Sequence, residues 1–303
     1  MTAGLRAVDL LVAAYHVVLF TIWSRVGPGA AYAPWIAGLH ATMALLPAAL
    51  VRVRGRHGLV GHLRELYPLL ALGPFWTELG LLQQLAPGES FDAQIAWLDR
   101  ALFGRHLNLV WMPAMPYPLL SEVMHASYFM YYPVLFLPPL IMAVTGRREA
   151  LRDMTLRLMV TYLGCYLMYL AFPVIGPAEL LPNYEGPLSQ GMFYRLTHAA
   201  RAAGDSLGTA FPSSHAAGAT TVAVLAWRWL SRPWALLLTL QGAGVLCATV
   251  YTQNHYPVDA VAGLLWTLVA QLIVVPALVR TTPARHVPVL PVPRTAVSTG
   301  GGA

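Results

Sequence analysis

The chain has 303 residues, of which 57% are hydrophobic and 11% charged, and its mean hydropathy is +0.57. A soluble domain carries about 25% charged residues, so a disordered protein, a disulfide scaffold and a nucleic-acid-binding domain are excluded as whole-chain readings. No nucleic-acid partner is expected. All 19 basic residues are arginine, which removes mechanisms built on a lysine Schiff base or a P-loop lysine. The formal charge of +6 must first be set against a membrane before it is taken as anion affinity.

A bilayer core takes about 20 apolar residues per spanning helix. Runs near 7–25, 33–51, 66–85, 119–144, 153–175, 213–230, 234–251 and 257–279 therefore predict an all-α, polytopic membrane bundle of about eight transmembrane helices. The first run could be a signal peptide cut after Ala31-Tyr32-Ala33, but its length and Pro34 favour an uncleaved span. Glu78, Gln83 and Gln84 interrupt the third run. Between the third and fourth runs, Asp92 to Phe103 puts Ile95, Leu98, Leu102 and Phe103 on one face of a short amphipathic surface helix. Residues 107–118, with Pro113, Pro116 and Pro118, read as a turn or re-entrant piece. Residues 281–303 read as a disordered Pro/Gly-rich tail. Cys165 and Cys247 lie in apolar runs and are expected to pack, not to bridge or bind metal. The organisation is then two N-terminal helices with a basic loop (1–64), a membrane domain (65–280) and the tail.

Arginine placement sets the orientation. With the N-terminus cytoplasmic, fourteen of the 19 arginines fall inside, among them Arg6, Arg52, Arg54, Arg56, Arg64, Arg147, Arg148 and Arg152. Arg25, Arg100, Arg105, Arg195 and Arg201 remain outside.

Two segments do not read as ordinary spans. Gly208 to Gly218 opens the sixth run and Tyr251 to Asp259 opens the eighth, both on the outer face. Their helix N-termini then meet at one exterior pocket, and a helix N-terminus is a ready anion site. Ser213 or Ser214 is the expected N-cap, its hydroxyl able to bond an amide or a ligand oxygen. His255 and Asp259 are four apart and share a helix face. A carboxylate on one imidazole nitrogen leaves the other free as nucleophile or base, while His215 can protonate a leaving oxygen. Two histidines, a carboxylate and two helix N-termini compose a phosphoryl-transfer site that needs no metal or other cofactor. Arg195 and Arg201 are the candidates to meet the phosphate's charge. Tyr128, Tyr131, Tyr132 and His125 can line the pocket or simply pack between helices.

At these residues the sequence resembles the type 2 phosphatidic acid phosphatase superfamily. Pro212-Ser213-Ser214-His215 is similar to its motif Pro-Ser-Gly-His, and His255-x3-Asp259 to the second half of Ser-Arg-x5-His-x3-Asp. Ala248 and Thr249 stand at the Ser-Arg positions, and the family's Lys-x6-Arg-Pro motif is absent. Phe211-Pro212-Ser213-x-His215-Ala216 with His255-Tyr256-x-x-Asp259 resembles the inositol phosphorylceramide synthase-like branch, related to sphingomyelin synthases. Leu98 to Gly104, Tyr128 to Pro133 and Tyr169 to Pro173 fit that branch. The resemblance covers roughly 65–280 and implies a six-helix catalytic core. It implies His255 as the nucleophile that forms a phosphohistidine, Asp259 as its orienting group and His215 as the acid. Ser213, with Ser214 and nearby amides, would bind phosphoryl oxygens.

The expected partners are a membrane lipid phosphate, the bilayer and an alcohol or lipid acceptor, with the active site on the extracytoplasmic side. A lipid phosphate phosphatase is the first alternative, with phosphatidic acid or a polyprenyl diphosphate as substrate. A non-catalytic lipid-binding or transport protein is the second.

Overall fold

The computed structural model describes residues 5–26, 30–51, 59–85 and 89–281. The loop arginines Arg52, Arg54 and Arg56 lie outside the described residues, as does the expected tail beyond Thr281. Among the described residues the protein is helical, with no strand and a single isolated bridge between Val174 and Thr209. In chain order the helices are α1 (Ala7–Trp23), α2 (Ala33–Val51), α3 (Leu59–Leu70), α4 (Leu72–Leu85), α5 (Asp92–Phe103), α6 (Leu107–Ala114), α7 (Pro118–Phe129), α8 (Tyr131–Val144), α9 (Arg148–Ala171) and the short α10 (Pro177–Leu180). They continue with α11 (Met192–Gly204), α12 (Ser214–Trp229), α13 (Arg232–Tyr251) and α14 (Pro257–Val269), which runs through a π turn (Ala270–Val274) into α15 (Val275–Thr281).

Four helical stretches are long and apolar enough to cross a membrane: Ala33–Val51, Arg148–Ala171, Arg232–Tyr251 and Pro257–Thr281. A fifth is α7 with α8, bent by 42°. The remaining three of the eight expected spans are shorter pieces. α1 has 17 residues and α12 has 16. The third splits into α3 and α4 beside Pro74, which has no N–H to offer Leu70. Residues 107–114, read from the sequence as a turn or re-entrant piece, form a short helix, α6, which ends one residue after Pro113 removes a backbone donor. α5 forms where expected, but Leu102 faces outward, and the inward face carries Asp92, Ile95 and Asp99. The two cysteines are free, Cys165 buried and Cys247 exposed.

α9 is the hub. Nine of its apolar side chains from Ala150 to Tyr166 are core residues, and α1, α3, α4, α8, α12 and the π turn pack around it. Several polar groups inside this packing pair across helices, although the Thr155 and Tyr15 hydroxyls have no partner. Thr161 donates to the Arg157 carbonyl and bonds Thr221 across to α12 at 3.0 Å. Gln271 in the π turn donates to the Thr161 hydroxyl and accepts from Arg157, each at 3.0 Å. Between α1, α2 and α4, His16 bonds His40 at 2.8 Å, His40 bonds Glu78 at 2.7 Å, and Trp23 also donates to Glu78.

The two ends of the bundle differ in charge. Near the starts of α1 and α9, Asp9 accepts from Arg6, Arg64 and Tyr67, and Glu65 accepts from Arg6 and Arg152. Asp153 meets Arg157, Arg228 and the Trp229 indole at the same end. α9 then climbs to Tyr169, which donates to the Pro212 carbonyl at the start of α12. α12 descends to Trp229, about 24 Å away at 1.5 Å per residue. The histidine motifs and the arginine cluster therefore occupy opposite ends.

α12 and α14 cross closely because Gly263 has no side chain. A Cβ there would sit 2.5 Å from the Ser213 carbonyl oxygen and 3.3 Å from the Ala217 nitrogen, both backbone atoms that cannot swing aside. Gly263→Ala is expected to cost about 1–3 kcal/mol through overpacking, seen as a lower thermal midpoint in detergent. A midpoint equal to the parent's would contradict this close approach.

Candidate active site

The starts of α12 and α14 are tied together. The Ser213 N–H donates to the Asp259 carbonyl at 2.9 Å, so the two motifs seen in the sequence meet in space. Ser213 is the N-cap of α12, its Oγ accepting from the Ala216 N–H at 3.3 Å. The Ser214 N–H goes to the Tyr169 hydroxyl at 3.2 Å. Of the first-turn amides, that leaves the His215 N–H without a partner among the described residues. The α14 end is occupied as well: the Val258 N–H donates to Asp99 of α5 at 3.2 Å. Ser213, the cap, and Ser214, the first residue of α12, are both buried, and neither lines the cleft described below.

Asp259 is fully buried. Its Oδ2 accepts the Tyr256 N–H at 2.9 Å and lies 3.3 Å from His255 Nδ1. With the proton on Nδ1, the Nε2 lone pair of His255 is left for a ligand. The loop carrying His255 folds back on α13, where the Thr249 carbonyl accepts the N–H groups of Asn254 and His255. At a position where the resembled motif has arginine, this chain uses backbone to hold its histidine. The His215 and His255 rings lie 5.7 Å apart, edge to face. His215 is 7% exposed, and neither ring nitrogen has a partner. Tyr128 stacks on it at 4.7 Å and Tyr131 lies at 4.4 Å. The Tyr131 hydroxyl bonds Tyr162, which fixes that wall.

Both histidines face a narrow cleft whose other walls include Trp76, Tyr128, Glu179, Asp205 and Asn254. Of the four aromatic candidates, Tyr128 lines it, while His125 packs on Tyr194 and Tyr251. Arg201 reaches two of its carboxylates, Glu179 at 3.0 Å and Asp205 at 3.1 Å. Burial pushes the Asp205 carboxyl up, against the pull of Arg201. Arg195 is exposed and bonds its own helix at the Gly191 carbonyl, so it is not brought to the cleft. Glu179, Asp205, Asn254 and Trp76 were not singled out in the sequence. Only Asn254, one residue before His255, carried a local signal.

α5 supports the site from behind. The Asp92 carboxylate takes the N–H groups of Ile175 at 2.9 Å and Gly176 at 2.8 Å, and Asp99 takes that of Val258. Burial raises the Asp99 carboxyl, against the pull of its bond to Val258 and of the His106 imidazole 3.5 Å away. These two aspartates, seven apart, explain why the inward face of α5 is not the apolar stripe. Among the described residues, no three His, Cys, Asp or Glu side chains gather as a metal ion would need.

Fold and site together define a helical membrane protein with a paired-histidine cleft. Residues 93–273, more than half the chain, match the profile of the PAP2 superfamily, and the protein belongs to that superfamily. It is accordingly an enzyme of phosphatase or phosphotransferase type. Among curated proteins and solved structures, none matches the chain.

α11, which carries Arg201, also carries His198, stacked on Tyr194 at 4.1 Å. Burial, then the charges of Arg201 and His125, push the His198 imidazole down to about 4 from its ordinary 6.5. The unfolded chain therefore binds this proton more tightly than the folded one. Stability from this group is present above the ordinary value and is lost as pH falls through about 6.5 toward about 4. Thermal midpoints of His198→Asn against pH should fall less steeply than the parent's across that window; parallel curves would remove His198 from the linkage.

Proposed function

We propose that the protein is a multi-pass membrane enzyme that transfers phosphoryl groups of lipid phosphates or phosphodiesters at the extracytoplasmic face through a phosphohistidine. It would act as an inositol phosphorylceramide synthase-like lipid phosphotransferase. The observation that carries this reading is the pair His215 and His255 facing one cleft, their rings 5.7 Å apart, with Asp259 against the far nitrogen of His255.

In this mechanism Asp259 keeps the proton on His255 Nδ1, and Nε2 attacks phosphorus. As the bond from phosphorus to the leaving alcohol breaks, protonated His215 gives that oxygen its proton. His215, now neutral, takes the proton of an acceptor hydroxyl as that oxygen attacks the phosphohistidine and frees His255. The unpartnered His215 ring nitrogens suit a group that must carry a proton to and from a ligand. The His215 N–H, at the positive end of α12, is the donor available to phosphoryl oxygens, while Arg201 is held by Glu179 and Asp205. Support for the face comes from charge: the arginine cluster at the opposite end matches the cytoplasmic excess of basic residues.

The test is purified protein in detergent with a labelled lipid phosphate or phosphodiester, with and without added alcohols. Label is expected to move to an alcohol acceptor. His255→Ala should abolish turnover, and Asp259→Asn should slow it by about 10²–10⁴-fold while the protein stays folded. Release to water as the sole outcome whatever alcohol is present, giving free phosphate from a monoester or a phosphomonoester from a diester, would replace transfer with hydrolysis. Turnover unchanged in His255→Ala would end the phosphohistidine reading.

A further inference from the structure

The cleft holds more hydrogen-bond acceptors than a phosphate needs. Glu179 and Asp205 line it, and the one guanidinium they share, that of Arg201, balances only one of the two carboxylates. Asn254 lines the same cleft at 7% exposure; its Nδ2 donates to the Thr252 hydroxyl, while its Oδ1 has no partner. A phosphoryl group offers only acceptors, so it is served by the two histidines and the His215 N–H and gains nothing from this wall. A buried carbonyl oxygen left unmet costs free energy until a donor arrives. Carboxylates beside an anion are worse than neutral to it unless the same ligand also brings hydrogen-bond donors or positive charge.

We propose that Glu179, Asp205 and Asn254 form an accepting subsite, next to the histidines, for a hydroxyl- or ammonium-bearing group attached to the phosphate or carried by the acceptor. The phosphorus lies on the histidine side and the donor-bearing group on the carboxylate side. Glu179 is the adjustable member: its side chain is 48% exposed and touches Arg201 through one oxygen. Asp205 is held closer, one turn beyond Arg201. The subsite rests on the functional reading only in taking the histidine end of the cleft as the place of phosphorus.

Binding separates this proposal from catalysis. The probes are three short-chain phosphodiester lipids with the same tails: dihexanoyl phosphatidylmethanol, which has no headgroup donor, phosphatidylglycerol with hydroxyls, and phosphatidylethanolamine with an ammonium. Affinities for the full chain are measured by calorimetry in detergent. At least one donor-bearing lipid should bind about tenfold tighter than phosphatidylmethanol, the worth of one bond to a charged group. Glu179→Ala, at a half-exposed position where folding is spared, should shrink that margin to about twofold without weakening phosphatidylmethanol. Asp205→Asn removes charge but keeps an acceptor, so it should reduce an ammonium margin and spare a hydroxyl margin. A gain by phosphatidylglycerol alone or phosphatidylethanolamine alone supports the subsite and identifies its donor. Equal binding of the three lipids by the parent overturns it, as does Glu179→Ala weakening all three alike. If the margin is present but neither these three lipids nor a lipid phosphomonoester is turned over, the catalytic reading fails and the subsite stands.

Discussion

The hydrogen bond from the Ser213 N–H to the Asp259 carbonyl joins the starts of two helices that lie more than forty residues apart in the chain. The rest of the site follows from it. It sets the height of α12 against α14, and Gly263 lets the two backbones close to that height. His215, two residues past the donor, and His255, four before the acceptor, are then carried to one cleft. The same bond uses the backbone of the residue whose carboxylate orients His255, so one aspartate fixes both the joint and the imidazole.

Buried carboxylates in an apolar bundle have to be offset by donors. Here the offset comes chiefly from backbone amides rather than cations: Asp92 takes Ile175 and Gly176, Asp99 takes Val258, and Asp259 takes Tyr256. Each of these bonds fixes a loop or helix start that borders the cleft. Cationic partners are concentrated at the opposite end, on Asp9, Glu65 and Asp153. The separation leaves the histidine end short of positive charge, with Arg201 as the one guanidinium tied to the cleft carboxylates. An anion entering there depends on histidine protons and a helix N-terminus, both local and directional, more than on a general positive field.

The motif residues were legible in the sequence because they mark helix starts: Ser213 precedes α12 as a cap should, and Asp259 falls in the first turn of α14. His255 does not share that helix face, as the four-residue spacing led one to expect; it lies in the loop before α14 and reaches Asp259 through the fold-back onto the Thr249 carbonyl. What spacing does not carry is where an amide has already been claimed. The expectation of two open helix N-termini fails at α14 because Asp99 arrives from a helix far away in the chain. The Ser213 hydroxyl accepts the Ala216 N–H, as a cap should, which leaves its own O–H as a donor. Arg195 and Arg201 looked equivalent in the sequence, six apart; one bonds its own helix and the other meets two carboxylates. Glu179 and Asp205 gave no signal, since a lone acidic residue in a polar loop reads as solvated surface. Hydropathy marked eight runs where long helices supply five, because it does not register the break at Pro74 or the shorter reach of α1 and α12.

α4 lies outside the part of the chain that matches the superfamily, yet it forms a wall of the cleft. The Trp76 indole donates to the Gly204 carbonyl at 2.6 Å, and the Ser206 hydroxyl returns a bond to the Trp76 carbonyl at 2.7 Å. Those two bonds bracket Asp205 and so hold the backbone that presents one of the two acidic side chains. Two residues before Ser206's neighbour Gly80, Glu78 is fixed by His40 and Trp23 from α2 and α1. The N-terminal helices therefore bear on the chemistry through one helix, gripped on one face by buried histidines and joined on the other to the cleft loop. The histidine pair belongs to the shared core, whereas the acidic side of the cleft depends on helices that this chain adds to it.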